Sequence, residues 1–267
     1  MSTVTELISL NGRTSIITGA SGHLGVAICE TLAELGSDLI LVEKPGSDLS
    51  KIVSSIENNF KVNIEQYFCD LESPLDRATL ISSILEKHKD LNCLINNAAF
   101  VGSSDLSGWS VPFEEQTSET FSRALEVNLT AVFELTKGFA ATLKNSQGAS
   151  IINIASTYGL FAPDWSLYKD TKMGNPAAYG ASKAGLIQLT RWLASTLAPN
   201  VRVNSISPGG IFRDQPKEFV KRYEEKTPLG RMATEDDLKG AVAYLASDMS
   251  KYVTGQNLVV DGGWGIL

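Results

Sequence analysis

Ser15-Ile16-Ile17-Thr18 is a short apolar run that passes at once into Gly19-Ala20-Ser21-Gly22-His23-Leu24-Gly25. Leu24, Ile28, Leu32 and Leu35 then recur at helical spacing until Gly36. A buried strand, a glycine turn and a helix in immediate succession leave few folds open, because such a helix packs back on its own strand as the first half of a βαβ unit. Glycines in the turn let backbone N–H groups approach a pyrophosphate at the positive end of the helix. A tight corner with no ligand reads the same on this segment alone.

The alternation continues along the whole chain. Leu39 to Val42 predicts a second strand ending in Glu43, 18 residues after Gly25. An acidic group there accepts hydrogen bonds from adenosine ribose hydroxyls and repels a 2′-phosphate, favouring NAD over NADP, whereas Lys44 and His23 pull toward NADP. Asp48 to Asn58 has helical periodicity, and Val62 to Phe68 reads as a strand closing on Cys69-Asp70-Leu71. Ser73-Pro74 caps and starts another helix. Leu91 to Ile95 is the fourth strand, ending in Asn96-Asn97-Ala98-Ala99, small residues that let a flat ring or ribose approach the backbone.

A loop at 100–117 carrying Trp109 and Phe113 is longer than most connections, which marks it as functional. One long helix is predicted from Ser118 to Leu143; within it Asn128 sits in an apolar stretch and needs partners. Ala149 to Ile154 reads as a strand ending at Ser156, where ligands of open α/β sheets bind, though Ser also caps turns there. In the loop 157–175, Tyr158, Phe161, Trp165 and Tyr168 are mixed with charged residues, which suits either a sugar-like ligand or a subunit contact. Val201 to Ile206 leads to Pro208-Gly209-Gly210-Ile211, a charged segment near 213–227 reads as a mobile cover, Thr234 caps a helix, and Gln256 to Val260 is the last strand. With no linker or repeat, residues 1–267 form one α/β domain, a doubly wound parallel sheet with helices on both faces.

Pro176 to Lys183 opens a further helix, with Leu186, Leu189 and Leu193 as its buried stripe and no break before Pro199. Tyr179 and Lys183, four apart, lie one turn above each other. An ammonium beside a phenol stabilises the phenolate, so the pair can exchange a proton with an alcohol or ketone. Tyr168 and Lys172 share the spacing, but Pro176 interrupts any helix built on them.

A net charge of -7 and no Lys/Arg cluster argue against a nucleic-acid partner. Cys29, Cys69 and Cys93, each in or beside an apolar run, read as buried thiols in a reducing compartment; with only His23 and His88 besides, no metal site is expected. The N terminus lacks the basic start and apolar run of a signal peptide, and no apolar stretch approaches the roughly 18 residues of a membrane helix, so a cytoplasmic protein is expected.

Taken together, Thr18-Gly19 to Gly25, Asn96-Asn97-Ala98-Ala99, Asn128, Ser156, Tyr179-x-x-x-Lys183, Pro208-Gly209 and the terminal Gly255 and Asp261-Gly262-Gly263 resemble the short-chain dehydrogenase/reductase family, single-domain type, over nearly the whole chain. The resemblance implies a Rossmann fold, a homo-oligomer (tetramer or dimer), a small-molecule substrate and NAD or NADP as cofactor. It implies Tyr179 as proton donor and acceptor, Lys183 lowering the Tyr179 pKa and holding the nicotinamide ribose, Ser156 on the substrate oxygen and Asn128 supporting a water relay. Thr18, Gly19, Ser21, Gly22, His23, Leu24, Gly25, Glu43, Asp70, Leu71, Asn97, Ala98, Ala99, Pro208, Gly209 and Ile211 would line the cofactor, and Ser156, Tyr158, Trp165 and Arg213 the substrate.

Three departures stand out. His23 occupies the place of a glycine. Arg213 replaces a Thr and either holds an anionic substrate group or pairs with the 215–226 segment. Ser156 and Tyr179 are 23 apart, about ten more than usual, consistent with an inserted loop. The insertions make the chain similar, more weakly, to oxidoreductases of bacterial surface-sugar pathways, for sialic-acid-like sugars among others. A 3-oxoacyl-acyl-carrier-protein reductase is the alternative substrate reading, and a non-catalytic dinucleotide sensor or scaffold the alternative of another class.

Overall fold

Ile16 and Ile17 are both fully buried although a strand turns successive side chains to opposite faces, so the first strand is covered on both sides. In the computed structural model, which describes residues 1–100 and 106–266, this strand β1 (Thr14–Thr18) lies in a seven-stranded sheet with β2 (Asp38–Glu43), β3 (Ile64–Phe68), β4 (Cys93–Asn96), β5 (Ser150–Ile154), β6 (Arg202–Pro208) and β7 (Asn257–Val260). The order is β3-β2-β1-β4-β5-β6-β7 and every pairing is parallel. The strand order therefore reverses between β1 and β4, where Ile16 stands opposite Ile40 on one side and Leu94 on the other. At such a reversal the helices leave to opposite faces and a crevice opens at the carboxyl edge.

Nine α-helices are described: α1 (Val4–Ile8), α2 (His23–Glu34), α3 (Ser50–Asn59), α4 (Pro74–Lys87), α5 (Ser118–Leu125), α6 (Ala131–Asn145), α7 (Ala177–Leu197), α8 (Lys217–Lys226) and α9 (Asp236–Ala246). One core holds Ile17, Leu41, Ile95 and Ile206 of the sheet against Ile28 and Leu32 of α2, Ile56 of α3 and Leu245 of α9. The opposite face packs Ile16, Leu94 and Val203 against Ile84 of α4, Phe139 of α6 and Leu193 of α7.

Two boundaries differ from expectation, and one short helix is additional. The expected helix Ser118 to Leu143 is broken by a π-helical turn, Glu126–Thr130, between α5 and α6. Thr234 does not cap α9 with its side chain: Asp237 reaches back instead, its carboxylate accepting from Thr234 N at 2.8 Å. Helix α1, too short to show a periodicity, is held by a capping box between Thr3 and Glu6. The insertion at 157–175 forms two 3-10 turns, Thr157–Gly159 and Trp165–Tyr168, whose Leu167 and Tyr168 are buried against Phe219 and Tyr223 of α8. Lys226 of α8 pairs with Asp164, holding that carboxyl down at about 2, so the insertion and α8 support each other. Residues 101–105 of the expected 100–117 loop lie outside the described residues.

Candidate active site

A cleft of about 540 Å³ opens along the carboxyl edge, running from Glu43 at the end of β2 to Arg213 beyond β6. Its first wall is the glycine turn. Gly19 has φ of +69°, and a Cβ there would lie 2.9 Å from Cα of Ala98; at Gly25 one would meet the Gly19 carbonyl at 2.0 Å. Only glycine allows the turn to close this tightly. Ser21, Gly22, His23 and Leu24 complete this wall, with Asn97, Ala98 and Ala99 opposite.

Thr18 does not line the cleft. Its hydroxyl accepts hydrogen bonds from the N–H groups of Asn97 and Ala98, both at 3.1 Å, while the Asn97 amide donates to the carbonyls of Thr18 and Gly19 at 3.1 and 2.9 Å. The ends of β1 and β4 are thereby fastened together across the reversal. Glu43 faces the cleft with its carboxylate engaged: Oε2 accepts from Ser21 N at 2.9 Å and Ser21 Oγ at 2.8 Å, and Oε1 from Lys44 N at 2.9 Å. Asp70 and Leu71 stand beside it, and Lys44 lies 4.0 Å from Asp70.

At the other end, Tyr179 and Lys183 on the first turns of α7 meet Ser156, which ends β5. The Ser156 hydroxyl lies close enough to the Tyr179 phenol to draw its pKa down. Lys183 is 2% exposed and donates to the Ile154 carbonyl at 2.7 Å, with Nζ 5.8 Å from the Tyr179 ring centre. Burial pushes this ammonium down to about 8. The expected acidification of Tyr179 by Lys183 is therefore corrected here. Burial raises the Tyr179 pKa, and the groups that pull it back are Ser156 and the charge of Arg213. Lys183 turns its ammonium to the backbone, where it stabilises the phenolate less than the helical spacing suggested.

Asn128 also has a different placement from the expected relay. It is buried beside the cleft rather than in its wall, accepting from Phe100 N at 2.6 Å and donating to Ser182 Oγ at 3.0 Å, and so braces the chain after β4 against α7. The π turn brings this side chain into position. Pro208, Gly209 and Ile211 line the far wall. Above them Tyr223 of α8 accepts from Gly210 N at 2.6 Å and stacks on Trp264 with ring centres 5.8 Å apart. Gln215 and Tyr223 lie in the segment read as a cover and Phe100 opens the 100–117 loop, but no individual signal marked them; Phe100 is placed by Asn128 and Tyr223 by Gly210, contacts made only on folding.

Of the expected substrate residues, Ser156 and Arg213 lie in the cleft, whereas Tyr158 and Trp165 line a second cavity of about 580 Å³ on the other side of the start of α7. Phe113, Tyr168, Lys172 and Asn175 share it. Arg213 pairs with Glu235, Nε to Oε1 at 3.3 Å, and not with the 215–226 segment. Among the described residues no helix is long and apolar enough to cross a membrane.

A family model described as enoyl-(acyl carrier protein) reductase matches residues 19–265. This chain is a member of the short-chain dehydrogenase/reductase family. It is 30% identical over 259 residues to the post-translational flagellin modification protein A of Campylobacter coli, covering 96% of this chain and 100% of that one. The 3-oxoacyl-acyl-carrier-protein reductase of Rickettsia felis is 33% identical over 264 residues, 96% of this chain and 98% of its own. The sorbose reductase of Schizosaccharomyces pombe is 29% identical over 265 residues, 98% and 99%. Among solved structures, the NADPH-dependent 3-quinuclidinone reductase of Rhodotorula rubra superposes with a TM-score of 0.86 at 27% identity, covering 100% of this chain and 96% of that one. An NAD+-bound xylitol dehydrogenase does so at 0.83 and 29%, covering 95% and 99%. Within this family the chain is an NAD(P)-dependent dehydrogenase/reductase, which sets aside the non-catalytic reading.

Proposed function

We propose that the enzyme interconverts a secondary alcohol and a ketone on a polar, sugar-derived small molecule, with NAD as the preferred cofactor. The observation that carries this reading is the Tyr179 phenol against the Ser156 hydroxyl, with Lys183 one turn on, at the end of a cleft whose other end presents Glu43.

The residues fit a dinucleotide. At Gly19 and Gly25 a Cβ would collide with backbone, so the turn closes tightly beside the cleft wall formed by Ser21 to Leu24. Lys183 is buried with one protein acceptor among the described residues, which leaves two N–H groups for ribose hydroxyls. When bound, the nicotinamide supplies or takes the hydride. Tyr179 gives its proton to the ketone oxygen in reduction and takes it back from the alcohol in oxidation. Ser156 donates to that same oxygen, fixing it against the phenol. Lys183 holds the ribose, and its ammonium, turned mainly to the Ile154 carbonyl, adds a smaller stabilisation of the phenolate once Tyr179 has lost its proton.

The polar substrate is supported by Arg213, a charged side chain that shares the cleft with Ser156 and Tyr179. The relatives named for sorbose and xylitol point the same way. The 3-oxoacyl reading is favoured by the 33% identity to the Rickettsia felis enzyme. Stopped assays of NADH oxidation with a panel of polyhydroxy ketones and with acetoacetyl thioester separate the two. Turnover of a polyhydroxy ketone is expected, with Tyr179→Phe slower by about 10²- to 10⁴-fold while cofactor still binds. Turnover of the thioester alone would overturn the substrate assignment, and an active Tyr179→Phe the mechanism.

A further inference from the structure

Arg213 sits in a turn that is held from several sides. Phe212 N donates to the Ala233 carbonyl at 2.8 Å, Arg213 N to Gln215 Oε1 at 2.7 Å, and Gln215 Nε2 to the Ile211 carbonyl at 2.8 Å. Glu235 takes the guanidinium at Nε. Nη1 and Nη2 make no hydrogen bond among the described residues, so a planar pair of donors is left in a fixed place on the cleft wall. The side chain is 40% exposed and its pair with Glu235 is long, which leaves the charge available to an incoming anion.

Its position along the cleft decides which anion that is. The phosphate cradle follows β1, whereas Arg213 follows β6, three strands away, which is about 14 Å at ordinary strand spacing. Ser156 ends the adjacent strand β5, and the Arg213 charge is felt at the Tyr179 phenol. The guanidinium therefore faces the reacting end of the cleft, not the pyrophosphate end.

We infer that Arg213 selects substrates carrying an oxyanion, a carboxylate or a phosphate, on the polyhydroxylated ketone, binding it through the free Nη pair. This deepens the reading above and rests on it. Such a fork matches two oxygens of either group, and a lysine in its place would keep the charge but lose the geometry.

Two matched pairs of ketones test it: L-sorbose against 5-keto-D-gluconate, and D-fructose against D-fructose 6-phosphate. The first differs by a carboxylate and the second by a phosphate, so the pairs also tell the two oxyanions apart. In the parent enzyme kcat/KM is expected to favour the anionic member of at least one pair by about 10- to 100-fold. Arg213→Ala brings that ratio close to one, and Arg213→Lys leaves it in between. Retained NADH binding by each variant shows that the cleft is folded. Equal use of both members in both pairs, or a preference that survives Arg213→Ala, overturns the inference while leaving the oxidoreductase reading intact. So does a variant that loses NADH affinity and keeps the anion preference, which makes Arg213 a cofactor residue. If none of the four ketones is reduced, calorimetric titration of each into NADH-loaded enzyme decides: anionic members binding no better than their neutral partners refute it. Failure of every carbonyl in the wider panel instead counts against the parent reading.

Discussion

Lys183 shows how far burial can set the behaviour of a single residue. An amine with 2% exposure and one carbonyl partner is pushed down to about 8 from the ordinary lysine value, so the folded enzyme holds fewer protons here than the unfolded chain from about 8 up to the ordinary lysine range. The sign is opposite to that of a lysine gaining a carboxylate. Below pH 8 both states carry the proton and folding bears the full cost of burying it; as pH rises beyond 8 that cost is relieved and the parent gains stability. Lys183→Met is accordingly expected to be more stable than the parent at pH 7, by about 2 kcal/mol, with the gap shrinking by pH 10. Thermal unfolding of both proteins at the two pH values checks it. A gap that does not change with pH would mean that the charge is not its source. The Tyr179-Lys183 spacing was legible because it needs only a helix. The direction of the Tyr179 shift was not, since it follows from how deeply folding buries the phenol, which no spacing within the helix shows.

At the level of elements, the π turn Glu126–Thr130 was hidden because nothing in a periodic apolar pattern marks one extra residue in a helix. It is stabilised by contacts from elsewhere. Arg77 of α4, 1% exposed, donates to Glu126 at the head of the turn and to Glu134 of α6, both at 2.6 Å, and also to the Leu71 carbonyl. Leu71 and Val127 line the cleft, so one guanidinium ties two of its walls to a single helix. Glu126 and Glu134 are about a third exposed and rehydrate if the arginine is lost, so their share is discounted; the Leu71 carbonyl loses this donor. Arg77→Met is expected to destabilise by about 1–3 kcal/mol and to weaken cofactor binding. A lower denaturation midpoint at unchanged slope, together with a raised NADH dissociation constant, is the result to look for; wild-type affinity would show that the walls hold without it. The inserted 157–175 segment was legible as an insertion but not as a scaffold, because its aromatic residues find their partners on α8 only after folding.

For the molecule as a whole, alternation of apolar strands and periodic helices was enough to read the doubly wound sheet, since each element carries its own pattern. The cleft follows from that topology: from β2 to β6 is four strand spacings, about 19 Å, long enough for a dinucleotide with a substrate beyond its nicotinamide end. What decides the cofactor is the field at the β2 end. Glu43, Asp70 and Glu72 face Lys44 there, while Arg123 is turned to Glu72, so the local balance is acidic. The Glu43 carboxylate is fixed by three N–H and O–H donors, and a 2′-phosphate entering beside it brings up to two further negative charges into a site that cannot move away. A ribose hydroxyl brings none and can donate to the same oxygens. NADH is therefore expected to bind about 10- to 100-fold tighter than NADPH, and Glu43→Gln to narrow the ratio by improving NADPH rather than by weakening NADH. The preference should shrink as salt is raised, because a cleft open to solvent is screened. Fluorescence titrations at low and high ionic strength measure all three effects. Tighter NADPH binding in the parent enzyme would mean that Lys44 and His23 dominate the field, and that Glu43 serves the Ser21 turn alone.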